Sequence, residues 1–186
     1  MNRNLMGRLC VAGTVILTGT LGCDGLKDPP GKQDPIATAP APDEPPAPPK
    51  DLKPKKAALP KLPTGAGEID ADAPEELTPT QSGLYYRILR KSGGRKPTAQ
   101  NRVLAHYRGT LDNGSQFDSS YDRGSPTEFG LGQVIKGWTE GLQLVGERGM
   151  IELEIPYDLG YGPGGNPPKI PPKATLHFLV ELIEIK

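Results

Sequence analysis

Apolar positions along this chain keep a regular period only after Thr80. From Leu84 to Arg90 the residues L-Y-Y-R-I-L-R are of the aromatic and aliphatic types that suit a pleated surface, and Val103 to Leu111 has a similar character, so both are expected strands. Asp112-Asn113-Gly114 supplies residues that tolerate the positive φ of a tight hairpin, with a return through Gln116 to Ser119. Pro126 to Leu131 is a further strand candidate. Between Val134 and Val145 the period changes, and Ile135, Trp138, Leu142 and Val145 recur near helical spacing with one apolar stripe. Gly137 and Gly141 each weaken an isolated helix by about 1 kcal/mol relative to alanine, so tertiary packing has to hold it. Met150 to Ile155 alternates as M-I-E-L-E-I and stops at Pro156. Thr175 to Ile185 alternates again, with Leu176, Phe178, Val180 and Leu182 on one face.

Strands on both sides of a single helix, joined by hairpins rather than by repeated crossovers, define an α+β domain with an antiparallel sheet and one helix on its concave side. The expected domain runs from residue 80 to 186, long enough to bury a core without disulfides or metal. Composition separates it from what precedes. Fourteen of the 22 prolines fall before Thr80, and that stretch has no aromatic residue at all. Fixed φ and missing N–H donors disfavour helix and sheet, so residues 23–79 are expected to form an extended, disordered tether. The 22 basic and 22 acidic residues cancel, which argues against a nucleic-acid partner. Lys50, Lys53, Lys55, Lys56 and Lys61 read as charges that keep a spacer soluble.

The N-terminus carries Arg3 and Arg8, then a mostly apolar run from Leu9 to Leu21, then Gly22-Cys23. The run is shorter than the ~20 residues that span a bilayer, so residues 1–22 read as a secretory signal. The L-G-C ending resembles the lipobox of bacterial lipoproteins, in which the cysteine becomes the first residue and carries a diacylglyceryl group. Thr20 and Leu21 depart from the usual lipobox residues, and an ordinary cleaved signal with an incidental Cys23 is the alternative. Cys10 would leave with the signal, so no disulfide is expected. The expectation is a domain outside the bacterial cytoplasmic membrane, in the periplasm or beyond, with lipidation of Cys23 as its expected anchor.

Chemistry concentrates between Val103 and Pro172. The run H-Y-R-G-T-L-D-N-G-S-Q-F-D-S-S is followed by G-Q-V-I-K-G-W, I-P-Y-D-L-G-Y-G and I-P-P, with no nucleophile pair, metal cluster or phosphate loop. His106 and His177 alternate away from the aromatic positions and read as structural. These ordered motifs resemble FKBP-type peptidyl-prolyl cis-trans isomerases, over a region from about Gly83 to the C-terminus. The resemblance implies a strongly bent antiparallel sheet wrapped around one short helix, with no cofactor and no metal. It also implies an apolar pocket made by Tyr107, Phe117, Val134, Ile135, Trp138, Tyr161 and Phe178, with the ring of Trp138 as its floor. Asp118 matches the carboxylate on the wall, Tyr161 the hydroxyl that bonds a substrate carbonyl, and Ile135 a backbone N–H donor. Arg123 matches the arginine that pairs with that carboxylate and orders the Tyr121-Asp122-Arg123 turn, and Arg123 and Ile170 are both expected at the substrate-binding rim. Without the motif, Trp138, Phe117 and Phe178 could all be plain core, Phe129 is read as core, and Asp118 could serve only to cap the Ser119-Ser120 turn.

The activity implied is rotation about X-Pro bonds in unfolded or partly folded polypeptides, and the family's macrolide inhibitors are expected ligands. Thr127, Asn166 and Lys169 depart from the aromatic, histidine and aliphatic residues usual in the family. All three belong to the rim, so they bear on peptide selectivity and macrolide affinity rather than on the isomerase step. The same pocket would also serve a non-catalytic holdase. Ala57 to Glu76 is interrupted by prolines and glycines, which removes the helical region through which relatives dimerise and leaves a monomer as the expectation.

Overall fold

The computed structural model describes residues 52–186, so the expected signal, Cys23 and the tether up to residue 51 lie outside the described residues. The strands are β1 (Lys55–Lys56), β2 (Glu76–Pro79), β3 (Tyr85–Arg90), β4 (Arg102–Leu111), β5 (Gln116–Ser119), β6 (Thr127–Gly130), β7 (Met150–Ile155) and β8 (Leu176–Ile185), with one helix, α1 (Lys136–Leu142). They form an antiparallel eight-stranded sheet in the order β1-β2-β3-β7-β8-β4-β5. The long strand β4 organises it. One edge of β4 pairs with β8 from Val103 to Leu111, while the other edge takes β6 at Arg102–Ala105 and β5 at Arg108–Thr110, end to end.

The helix is shorter than the apolar period suggested. Val145 and Leu144 close i→i−3 bonds to Leu142 and Gly141, which tighten the last turn beyond α1. Before it, Leu131–Gln133 makes a separate 3₁₀ turn and Ile135 stays extended (φ −59°, ψ 148°). The two glycines earn their place by contact. A Cβ on Gly137 would lie 2.5 Å from Ile155 Cγ2, and one on Gly141 2.5 Å from Leu153 Cδ2. The low helix propensity of glycine is therefore exchanged for direct seating of α1 on β7. Trp138, Leu142 and Val145 join Val103, Ala105, Leu153, Val180 and Leu182 in the main core on this side.

The outer side of the sheet corrects the expected tether. Residues 52–79 are not a spacer up to Thr80: β2 pairs with β3, Leu77 is buried, and the chain between β1 and β2 lies across the outer face as a strap. Ala66 and Ile69 of the strap cover Leu89, Met150 and Leu179, a second apolar cluster. Charged side chains then bind the strap's backbone. Arg87, buried within β3, donates to the carbonyls of Ala57 (2.7 Å), Ala58 (2.5 Å) and Glu75 (3.1 Å), and Arg108 donates to the carbonyl of Lys61. Gly67 N–H donates to Glu181, and Lys55 pairs with Glu154. For this reason β8 is buried on both faces, and not only along the Leu176, Phe178, Val180 and Leu182 face.

Candidate active site

Where α1 leaves a gap against β4, β5 and β8, a cavity of about 370 Å³ opens between the helix and the concave sheet. Its lining contains Tyr107, Phe117, Asp118, Val134, Ile135, Trp138, Tyr161 and Phe178, all eight of the pocket residues expected from the sequence. Each comes from a different local cause. Tyr107 is an inward position of β4, Phe178 of β8, and Phe117 and Asp118 lie on β5. Val134 and Ile135 form the extended entry to α1, and Trp138 is on its first turn. Tyr161 lies in the loop after β7, which turns tightly through Gly165 at φ +66°, where a Cβ would run into the carbonyls of Pro171 and Ile170.

The floor is an aromatic box. Trp138 meets Tyr107, Phe129 and Phe178 edge to face, with ring centroids 5.3, 5.1 and 5.3 Å away, and Phe117 stands perpendicular to Phe178 at 5.4 Å. Gly109 makes the last contact possible, since a Cβ there would strike the rings of Phe117 and Phe178. The indole Nε1 of Trp138 is buried and finds no acceptor among the described residues.

One wall is polar. Tyr107 donates its hydroxyl hydrogen to Asp118 Oδ2, Arg123 Nη1 bonds Asp118 Oδ1 at 2.5 Å, and Arg123 Nη2 donates to the Tyr107 hydroxyl at 2.8 Å. Burial alone would raise the Asp118 carboxyl, but the bonds from Tyr107 and Arg123 outweigh it and hold the group below the usual carboxylate range. Desolvation pushes the Tyr107 phenol up, and its bond to the carboxylate adds to that. At the mouth, the Tyr161 phenol is likewise pushed up, first by desolvation and then by the Asp118 charge. All three groups thus hold one protonation state through neutral pH, which suits a wall that orients rather than one that moves protons.

Two expectations shift. Arg123 stands behind Asp118 and does not line the cavity, and Ile170 is not at the rim but 3% exposed within the main core. Conversely Phe129 and Gln133 line the cavity. Phe129, read as core from the sequence, packs against the core and also faces the cavity. Pairing of Val103 with Phe129 brings it across the end of the box, against Tyr107 at 5.5 Å. The histidines lie elsewhere: His106 stacks on Tyr121 at 4.7 Å, and His177 meets Asp112 at 2.7 Å through Nε2.

Comparison with known proteins agrees with this geometry. The sequence model of the family described as FKBP-type peptidyl-prolyl cis-trans isomerase matches residues 93–183. A solved relative, AtFKBP13, is 36% identical; the match covers 60% of this chain and 99% of that one, with a TM-score of 0.55. The chain belongs to the FKBP-type peptidyl-prolyl cis-trans isomerase family. FkpA from Escherichia coli, another solved structure, is 44% identical over 59% of this FKBP chain and 51% of its own, with a TM-score of 0.58. The probable FKBP-type isomerase of Haemophilus influenzae is 49% identical over 60% of this chain, and the macrophage infectivity potentiator of Trypanosoma cruzi 52% identical over 56%. This FKBP chain spans only about half the length of these curated relatives, 46% and 54% respectively.

Proposed function

We propose that this FKBP domain accelerates cis-trans rotation about X-Pro bonds in polypeptides outside the cytoplasm. The observation that carries the reading is the box around Trp138: a ring-sized apolar floor, closed on its sides by aromatic rings and open above to a cavity of about 370 Å³. Rotation about an X-Pro bond crosses a barrier of ~18–20 kcal/mol because it breaks amide resonance. The twisted amide has less charge separation than the planar one, so a water-poor aromatic surface favours it over the ground state. The proline ring rests on Trp138 while the substrate backbone is held at the mouth by the Tyr161 hydroxyl and the Ile135 N–H. That N–H, at the cap of α1, is not drawn into the helix ladder. Taking about 4 kcal/mol off the barrier by such differential binding gives about a thousandfold in rate. No acid, base or covalent step is needed.

A protease-free isomerisation assay on a proline-containing peptide tests this with the purified chain. Acceleration is expected, and Tyr161→Phe combined with Asp118→Leu should lower kcat/KM by about tenfold or more. Equal rates for the wild type and the double variant would overturn the assignment of the pocket. No acceleration, together with suppressed aggregation of a proline-free client, would replace catalysis by holding.

For location, we propose export and lipidation at Cys23, supported by the basic start, the apolar run from Leu9 to Leu21 and the L-G-C ending. No helix among the described residues is long and apolar enough to cross a membrane. Mass analysis of the N-terminus from a native host should find a diacylated Cys23; an unmodified thiol there would remove the anchor.

A further inference from the structure

The polar wall of the pocket is held from the opposite face of the sheet. The side chains of Arg123 and Asp118 are 46% and 38% exposed, so burial does not fix the pair, and the place of Arg123 is set by the turn at residues 119–124. That turn is tied to the sheet at three points, one of them the bond that Gln116 Nε2 of β5 donates to Asp122 Oδ2 at 2.6 Å. Ser120 is fully buried; its N–H donates to the Tyr107 carbonyl at 2.9 Å, its Oγ accepts the Tyr107 N–H at 2.7 Å, and the same Oγ lies 3.0 Å from His106 Nδ1. Next, the Tyr121 ring lies flat on His106, with centroids 4.7 Å apart and an interplanar angle of 15°. Its hydroxyl donates to Glu181 Oε2 at 3.2 Å. Glu181 is itself bound by Arg90 at 2.5 Å and by the Gly67 N–H of the strap at 3.4 Å. The Tyr121 carbonyl then accepts the Gly124 N–H at 3.0 Å and closes the turn on which Arg123 sits.

We propose that Tyr121, stacked on His106 and bonded to Glu181 on the outer face, is the positioning residue that presents Arg123 to Asp118 and Tyr107 in the pocket. The inference rests on reading the cavity as the isomerase site. Its physical content is rigidity. Arg123 is two residues from Tyr121, and its guanidinium, 5.5 Å from the centroid of the Tyr107 ring, can hold a fork onto Asp118 and Tyr107 only while the backbone beneath it is fixed. The ring stack completes on the outer face the fixation begun by the Ser120 and Asp122 bonds, and the Glu181 bond sets the rotation of the ring. Glu181 is in turn held by Arg90 and the strap, so the same contacts tie the pocket wall to the segment that crosses the outer face.

The experiment uses the full chain with Tyr121→Ala, Tyr121→Phe and, as a destabilised control, Leu77→Ala, which removes a buried side chain at the opposite edge of the sheet from β5. Two quantities are read at a temperature where every variant is folded: kcat/KM for a proline peptide, and the Asp118 carboxyl titration by NMR. Tyr121→Ala should lower kcat/KM by about tenfold and move the Asp118 titration upward, since that carboxyl loses the Arg123 bond that helps hold it down. Tyr121→Phe, which keeps the stack, should lose no more than about threefold. Leu77→Ala should leave both readouts at the wild-type values. An unmoved Asp118 titration in Tyr121→Ala, or the same upward movement in Leu77→Ala, would overturn the proposal. The titration reports on the wall even in a protein without isomerase activity, so failure of the catalytic reading and failure of this one are told apart.

Discussion

Replacing Arg87 by alanine is expected to destabilise the domain by about 3–5 kcal/mol, the cost of breaking a buried ion pair and leaving one charge behind. The Arg87 side chain is fully buried and Glu152 is 15% exposed, so solvent screens little of the loss. Four acceptors lose the arginine at once: Glu152 Oε2 and the carbonyls of Ala57, Ala58 and Glu75, of which only Glu75 keeps a second donor, the Ala57 N–H at 3.2 Å. Domains of this size have only about 5–15 kcal/mol in hand, so the strap should detach or the whole domain unfold under mild urea. Urea unfolding followed by the fluorescence of Trp138, the sole tryptophan, measures it; a loss below about 1 kcal/mol would show that the strap is held by other means. Burial pushes the Glu152 carboxyl up against the pull of Arg87. A carboxyl raised in the folded state stabilises the fold below its unfolded value of ~4.3, and that contribution is lost as pH rises through the folded value. Without the arginine the upward push loses its main opposition, so the deficit of Arg87→Met relative to wild type should widen as pH rises above about 4.

The strap is also where the sequence was least legible. The bounds of β7 and of the β4–β5 hairpin follow directly from the alternation M-I-E-L-E-I and from Asp112-Asn113-Gly114. Residues 55–70 have no such rhythm, because they are held through backbone carbonyls, and an alanine or a proline offers a carbonyl as well as any other residue. A segment too polar to form its own core can still complete the fold by satisfying another strand's buried arginine. The trace it leaves is in β3, where Arg87 alternates with Tyr86 and Ile88 and shares the outer face with Leu89. A charge and a fully buried leucine side by side on an outward face mean that something covers both. The pocket was legible because its residues fall in ordered motifs; Phe129 was not, since its role depends on β4 being long enough to pair with β5 and β6 in line. Ile170 erred in the other direction, a motif residue whose aliphatic side chain turns into the core.

Trp138→Leu is expected to separate activity from stability more sharply than any substitution on the wall. The indole is 4% exposed and loses three edge-to-face partners on replacement, each worth about 0.5–1.5 kcal/mol. Its Nε1, however, is a buried donor without an acceptor among the described residues, and such a group costs about 1–3 kcal/mol to keep. Leucine removes both the contacts and the orphan donor, so the net loss of stability should be about 1–2 kcal/mol, against about 3–5 kcal/mol for truncation to alanine. The catalytic effect has no such offset. A branched aliphatic side chain cannot offer a flat ring-sized surface, so the differential binding of the twisted amide falls, and kcat/KM should drop about 100-fold, equivalent to about 2.8 kcal/mol of barrier. Trp138→Phe, which keeps a smaller flat ring, should lose about tenfold. Circular dichroism supplies the unfolding curve for both variants. Activity within about threefold of wild type in a folded Trp138→Leu protein would mean that the floor is packing and that catalysis is carried by the mouth of the pocket alone.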